Sequence, residues 1–349
     1  MAIEAGAQSG DWRITTHGNA TLQSRFRALT RPATPLELMD DSISYYRENF
    51  RPLFRISLWI YLIPIAISLV FLLPIALLSA SAASEDAYFA AILVDYLGLF
   101  LALPYLMVAP IVHAAFTTLA FRMLAVGEPI TLKGLWERLK PRFWHLIANQ
   151  LLAYMALSGI LGVLGIGYFL GVIGIVSGVA ALVGGSPTVV IVLLFAMLLV
   201  ISIPALVLAA LVNVWFLILP QIIVLEERTD AISAFKRAVE LVRPNLRHAT
   251  LSCLAFWGVQ AVFMLAVGLL AYLLILVFAG IMSIYSDFEQ VLGRWSLTLG
   301  QLSEVTNYIA YMLVMPAMYM TSILLYFDLR YRNEGLDIYE VLRQGEAGA

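Results

Sequence analysis

Three ionisable residues stand within or beside long apolar stretches of the chain: Asp95, His113 and Glu304. A titratable group is expensive to place in lipid, so each of them is a candidate for a functional site. His113 could relay protons, and the two acidic residues could form a polar site near the outer end of the helices that carry them. The simpler interpretation is that each side chain is packed and hydrogen-bonded, or reaches the membrane interface.

Uncharged polar residues also interrupt the apolar stretches, and Asn149, Asn213 and Gln260 could together line a substrate path. Hydrogen bonds of such residues between membrane helices contribute about 0.6 kcal/mol on average, so helix association is the simpler role. No catalytic triad, metal-ligand spacing or phosphate-binding loop accompanies them. The sequence therefore predicts no catalytic residue, no metal and no cofactor.

The composition of the chain indicates whether these residues lie in a soluble or a membrane protein. Of the 349 residues, 62% are hydrophobic and only 13% are charged, whereas roughly 25% are charged in an average soluble domain. The mean hydropathy is +0.90. A water-soluble protein of this length could not bury that much apolar surface. A net charge of −2 argues against nucleic-acid binding. The composition predicts an all-α, polytopic integral membrane protein.

Six apolar regions are long enough to cross a bilayer, which takes about 20 residues: 56–79, 91–121, 143–183, 188–225, 249–284 and 303–327. Several exceed that length, so eight spans are the alternative. In the third region, Gly167 and Gly171, and likewise Gly174 and Gly178, form Gly-xxx-Gly pairs. Such pairs favour close helix packing, and a hinge is the alternative.

The segments that connect these regions are alternately rich and poor in basic residues. Seven precede the first region, five lie in 122–142, five in 226–248 and three in the tail, whereas the opposite side holds only Arg294. Positively charged loops remain in the cytoplasm. The pattern predicts six spans with both termini cytoplasmic, in a bacterial inner membrane.

A Glu-x-x-Lys/Arg-Pro pattern occurs in each of the three internal basic segments. Its members are Glu48, Arg51 and Pro52, then Glu137, Lys140 and Pro141, then Glu240, Arg243 and Pro244. Helix-start signals precede them at Thr34, Thr131 and Asp230. We expect three amphipathic helices that lie with their apolar faces on the inner membrane surface, each followed by two spans. Chance recurrence of these residues is the alternative to an internal repeat.

This organisation predicts a mobile cytoplasmic segment (1–33), one helical membrane domain (34–340) with repeats 34–122, 123–225 and 226–330, and a cytoplasmic tail (331–349). Charged residues flank the last span, at Asp328, Arg330, Arg332 and Glu334. Together with the three repeated patterns they could form an interlocked cytoplasmic layer. A solvated charged face is the alternative.

Three segments resemble the membrane domain of bacterial glycerophosphoryl diester phosphodiesterases and its stand-alone relatives. They are 35–50, with Pro-Leu-Glu-Leu-Met-Asp and Tyr-Tyr-Arg-Glu-Asn-Phe; 231–242; and 325–337, Leu-Tyr-Phe-Asp-Leu-Arg-Tyr-Arg-Asn-Glu-Gly-Leu-Asp. The resemblance implies a six-span helical domain. It does not imply the phosphodiesterase reaction, which belongs to a separate soluble barrel that this chain cannot accommodate.

Three functions are compatible with these features. A non-enzymatic scaffold or accessory subunit, packed with membrane lipids and another membrane protein, accounts for the absence of catalytic motifs. A transporter or lipid carrier accounts for the glycines, the prolines and the polar residues in spans. A lipid-modifying enzyme that uses Asp95, His113 or Glu304 has the least support.

The charge pattern makes a topology prediction. Alkaline phosphatase fused after Ala349 should be inactive and a fluorescent protein fused there should fluoresce, because both termini face the cytoplasm. Fusions within 285–300 should behave in the opposite way. An active phosphatase after Ala349 would contradict the predicted orientation.

Overall fold

A computed structural model describes residues 32–81, 85–125, 128–182, 187–226, 231–282 and 288–335. These residues are helical apart from short connections, and no strand occurs among them. The all-α prediction is confirmed for this part of the chain. Most of the predicted mobile segment 1–33 and of the tail 331–349 lies outside the described residues.

Ten α-helices follow one another along the described chain: α1 (Pro35–Glu48), α2 (Phe50–Ser81), α3 (Glu85–Ala125), α4 (Leu132–Leu139), α5 (Phe143–Leu182), α6 (Pro187–Leu217), α7 (Leu219–Leu225), α8 (Ala231–Val242), α9 (Leu246–Met282) and α10 (Phe288–Glu334). Five segments are long and apolar enough to cross a membrane: Phe50–Leu78, Phe89–Ala125, Ser202–Leu225, Ile232–Leu274 and Thr298–Glu334. A shorter apolar stretch, Gly165–Ile175, lies in α5.

Three short helices, α1, α4 and α8, correspond to the predicted amphipathic helices, and they begin at or next to the predicted start signals. Thr34 caps α1 in a capping box with Glu37, and Thr131 caps α4 by accepting a hydrogen bond from the Gly134 amide. The third short helix, α8, begins at Ala231. The two threonines accept hydrogen bonds from first-turn N–H groups, which have no partner within the helix. The third signal, Asp230, lies outside the described residues.

A proline lies at each junction between a short helix and the long helix that follows. Pro141 and Pro244 lie in single turns of 3-10 helix, Lys140–Arg142 and Arg243–Asn245, and Pro52 lies in the first turn of α2. Proline is tolerated in the first turn of a helix, where its missing N–H would have no partner in any case, and the break before α2 lies at Asn49. The three junctions have this feature in common, and the internal repeat itself stays a prediction.

The hydrophobic core occupies one end of the molecule, where the basic segments meet. Along α10, every residue from 314 to 329 is buried except Met315, and residues 322–329 are at most 2% exposed. The matching ends of α2, α3 and α9 pack in the same core, together with α1 and α7. The C-terminal half of α10 is therefore the helix segment around which the other helices of the core pack.

The opposite halves of α5 and α9 are mostly exposed. Among the described side chains, α9 has none buried after Phe256, and α5 has only Val172 buried after Gln150. The glycines of α5 have open space where a Cβ would lie, since no atom comes within 4 Å of that point. Among the described residues no neighbour therefore packs tightly on Gly167, Gly171, Gly174 or Gly178, and the expectation that these glycines support close packing stays a prediction.

The short helices also differ from the expectation of apolar faces lying on lipid. In α1 the buried residues are Leu38, Met39, Asp41, Ser42 and Tyr45, and the Ser42 hydroxyl lies 2.7 Å from the Thr321 hydroxyl of α10. Both α4 and α8 likewise bury leucines in the core. These amphipathic faces pack on protein because the helix ends of the bundle offer them an apolar surface.

The position of the core predicts which leucines stabilise the fold. Leu324→Ala removes a fully buried side chain from α10 and should lower the free energy of unfolding by about 3 kcal/mol. Unfolding in detergent micelles measures this loss. Leu265→Ala, at a position of α9 that is 65% exposed, is the matched control and should change stability little; equal losses would contradict the core described above.

Candidate functional site

A fully buried carboxylate, that of Asp328, lies near the C-terminal end of α10. Its Oδ1 accepts a hydrogen bond from the Ala33 amide at 2.8 Å, and its Oδ2 accepts one from Arg332 Nε at 2.7 Å. The Nε2 atom of His248, in the first turn of α9, lies 2.8 Å from Oδ2. One carboxylate therefore connects α10 with α9 and with the segment that precedes α1.

Both backbone polar groups of Ala33 are hydrogen-bonded to α10. Its N–H donates to Asp328, and its carbonyl oxygen accepts a hydrogen bond from Arg332 Nη2 at 2.6 Å. Arg332 lies four residues after Asp328, so one helical face presents both the acceptor and the donor. This pair positions the start of α1 on α10 and brings the two described ends of the chain together.

A second polar cluster surrounds Glu226, just after α7. Arg237 Nε donates to Glu226 at 3.0 Å, and the Tyr326 hydroxyl donates to the same carboxylate at 2.9 Å. Arg237 also pairs with Glu334. Arg330 donates to Glu334 at 2.8 Å and to the Tyr326 hydroxyl at 3.2 Å. These charges are mostly buried and mutually paired, which is how proteins tolerate charge away from water.

The last turn of α10 is also hydrogen-bonded to the end of α8 and to the turn that follows it. Asn333 Nδ2 donates to the Leu241 carbonyl at 2.7 Å, and its oxygen accepts from Asn245 at 2.7 Å. Carbonyls in the last turn of a helix have no partner within it, so Asn333 satisfies one of them. We call this whole group the basic-end layer, and define it by these residues: Ala33, Glu226, Arg237, Asn245, His248, Tyr326, Asp328, Arg330, Arg332, Asn333 and Glu334.

The structure brings together only part of the predicted interlocked layer. Its C-terminal members, Asp328, Arg330, Arg332 and Glu334, all belong to the basic-end layer. The repeated Glu-x-x-Lys/Arg residues are largely exposed: Glu137 pairs with Lys133 at 3.8 Å, and Glu240 pairs with Arg237 at 3.7 Å. The ion pairs of Glu137 and Glu240 each lie within one helix, so these two pairs do not connect different helices.

Several members of the basic-end layer were not predicted, notably Ala33, Arg237 and Tyr326. The spacing of Asp328 and Arg332, and of Arg330 and Glu334, places each pair on one helical face and is a signal that sequence reasoning could use. A backbone partner such as Ala33 leaves no signal, because any residue has the same N–H and C=O groups.

Tyr45 of α1 belongs to the hydrophobic core, and Tyr46 packs against it. Tyr45 is buried with its ring 5.5 Å from that of Phe121, and burial, with the nearby charge of Glu48, raises the pKa of its phenol well above the ordinary value. Burial also raises the pKa of Tyr46 to about 12. Both phenols therefore stay neutral at physiological pH and act as packing groups.

His113 is fully buried in α3 among residues of α2 and α10. Its Nε2 and the Ser57 hydroxyl share a hydrogen bond of 2.9 Å. The rings of Tyr61 and Tyr319 meet the imidazole edge-on, with centroids at 5.6 and 4.8 Å. This environment is the packed and hydrogen-bonded one that the simpler interpretation describes.

Asp95 and Glu304 lie near each other, far from His113. Asp95 accepts a hydrogen bond from Gln301, and Glu304 lines a cavity of about 10 Å³ with Ser68, Gln301 and Tyr308. That volume holds about one water molecule. Asp95 precedes His113 by 18 residues on α3, or roughly 27 Å along the helix axis. The three ionisable residues therefore do not form one site.

The uncharged candidates occupy separate helices. Asn149 is buried in α5, and Asn213 Nδ2 in α6 lies 3.7 Å from Cys253 Sγ in α9. Gln260, half-buried, lies seven residues beyond Cys253 on α9. Asn213 thus joins two helices, as a residue that promotes helix association does. No group of three or more potential metal ligands occurs among the described residues.

The comparisons with known proteins identify a family. A model for a domain of unknown function (DUF7847) matches residues 87–329. The chain belongs to the DUF7847 family. The match runs from the start of α3 to Leu329, so it contains Asp328 and His248, whereas Ala33 and Arg332 lie outside it. Neither a curated protein nor a solved structure matches the chain. The resemblance to the phosphodiesterase membrane domain stays a prediction.

The contacts of Asp328 predict a large effect for a nearly isosteric change. Asp328→Asn removes the charge that Arg332 contacts and puts an amide where a carboxylate accepts from Ala33, so unfolding should become easier by about 3 kcal/mol. Thermal unfolding of the purified protein in detergent measures the change. Glu137→Gln, which affects an exposed ion pair, is the control and should cost less than about 0.5 kcal/mol. A similar small cost for Asp328→Asn would show that the layer does not hold the fold together.

Proposed function

We propose that this DUF7847 chain is a six-span inner-membrane protein with both termini in the cytoplasm. The contact between Ala33 and Arg332 supports a common side for the two described ends. Five apolar segments are long enough to span, and α5, a continuous helix of 40 residues, supplies the sixth. The basic residues at the packed end would then face the cytoplasm.

We propose further that the protein is a non-enzymatic scaffold or accessory subunit that packs with lipid and with a partner membrane protein. The observation that carries this proposal is the exposed apolar surface of α5, where Val163, Ile166, Phe169 and Leu170 are all more than 60% exposed. The same helix carries glycines with open space around them. Small residues let a second helix approach closely, and that helix is not supplied by the described chain.

The internal polar residues support the same proposal. His113 is engaged by Ser57, Asn213 by Cys253, and Gln221 of α7 lies 2.8 Å from the Ser322 hydroxyl. These contacts join helices of the same chain. Helix association accounts for each of these contacts.

A carrier is the second candidate, and one observation favours it. Ser68, Gln301, Glu304 and Tyr308 surround a small cavity between α2, α3 and α10, which could be one state of a polar path. A carrier would expose Glu304 in turn to each side of the membrane. A cysteine at position 304 would then react with membrane-impermeant thiol reagents from both sides, whereas a scaffold would allow reaction from one side at most.

Site-specific photo-crosslinking tests the scaffold proposal. A photoreactive amino acid in place of Phe169 on α5 should give a discrete protein adduct in the native membrane, because the partner packs against this face. The same substitution of Phe100, which is 71% exposed on α3, is the matched control and should give lipid adducts. Mass spectrometry of the adducts is the readout. Lipid adducts alone at both positions would overturn the proposal.

A further inference from the structure

A pocket of about 200 Å³ lies at the packed end of the molecule, between the first turns of α2 and the start of α4. Its lining residues are Pro52, Arg55, Ile56, Ile130, Thr131 and Leu132. In the proposed topology the chain enters the membrane along α2, whose first turn contains Pro52. The pocket would therefore lie at the inner headgroup region.

The lining combines an apolar floor with a single cationic group. Ile56 is buried, Ile130 and Leu132 pack against the core, and Arg55 is exposed. A small inorganic anion would leave the apolar floor in contact with water, and an apolar ligand would leave the guanidinium unused. The lining suits a molecule that carries both an anionic group and an apolar portion.

Arg55 is available for such a ligand. Four other arginines at this end donate within the chain: Arg142 to the Val224 carbonyl, Arg237 to Glu226, Arg330 to Glu334 and Arg332 to Asp328. None of the ion pairs among the described residues involves Arg55. Thr131, the N-cap of α4, also lines the pocket, so the positive end of that helix dipole adds to the attraction for an anion.

An apolar stripe leads from Arg55 along α2. Leu58, Trp59 and Leu62, which follow it by three, four and seven residues, share its helix face and are exposed. The pocket is large enough for a glycerol phosphate group and too small for two acyl chains, so the chains of a bound lipid would continue along this stripe into the bilayer. We propose that the pocket binds an anionic glycerophospholipid of the inner leaflet, with Arg55 on the phosphate.

This inference rests on the proposed membrane placement of the packed end and is independent of the scaffold role. Photo-crosslinking at position 169 reports on the partner, whereas lipid binding at Arg55 is measured on the isolated protein. A failed crosslinking experiment would therefore not affect the test of lipid binding, and a failed lipid-binding experiment would not affect the test of the scaffold role.

Lipid binding to the full-length protein in detergent tests the proposal, with phosphatidylglycerol as the probe and native mass spectrometry as the readout. Arg55→Gln should weaken binding about fivefold to tenfold, as expected for the loss of roughly 1 kcal/mol per basic residue at a membrane surface. Ile130→Trp, which fills the floor without changing charge, should weaken it similarly. Phosphatidylcholine should bind less tightly than phosphatidylglycerol to the unaltered protein.

Arg247→Gln is the matched control. Arg247 follows Pro244 by three residues, as Arg55 follows Pro52, and it is also exposed, but it does not line the pocket. Its variant should bind phosphatidylglycerol within twofold of the unaltered protein. Equal losses in the Arg55 and Arg247 variants would overturn the proposal, as would unchanged binding by Ile130→Trp. Inorganic phosphate that competes at millimolar concentration would identify a free-anion site instead of a lipid site.

Discussion

The burial of the Asp328 carboxylate is the constraint on which the rest of the structure depends. An ionised carboxylate away from water costs several kcal/mol unless it is paired and hydrogen-bonded. Here Ala33, His248 and Arg332 surround it at 2.7 to 2.8 Å. They come from the segment before α1, from α9 and from α10 itself. The position of each relative to the others is therefore defined by one group, and a shift of any of them leaves a buried charge without its partner.

The hydrophobic core lies at the same end, and the physics of membranes accounts for this asymmetry. Apolar side chains gain little when they leave lipid for another helix, so no hydrophobic force gathers the parts of the helices that lie within the bilayer. At the basic end, the short helices α1, α4 and α8 bring amphipathic faces out of water and the hydrophobic effect operates fully. The exposed halves of α5 and α9 follow from the same reasoning. They are the surfaces that we propose contact lipid or a partner.

Much of the fold could be predicted from local signals. Thr34 and Thr131 mark helix starts because their side chains accept hydrogen bonds from the first turn, and this chemistry is complete within four residues. The prolines mark junctions for an equally local reason. The packing of α5 could not be predicted in this way. Its Gly-xxx-Gly pairs permit close approach but do not specify which helix approaches, and no described atom lies within 4 Å of their Cβ positions.

The sequence by itself determined the environment, the helices and their start points, because composition and capping depend on each residue and its near neighbours. It also restricted the charges to segments that alternate with apolar regions. Only the tertiary structure decided which charges meet. Asp328 and Ala33 are separated by 295 positions, and the partner is a backbone amide that every residue other than proline possesses. Such a contact exists only after α1 has packed on α10, so it belongs to the packed arrangement of the helices and leaves no pattern in the chain.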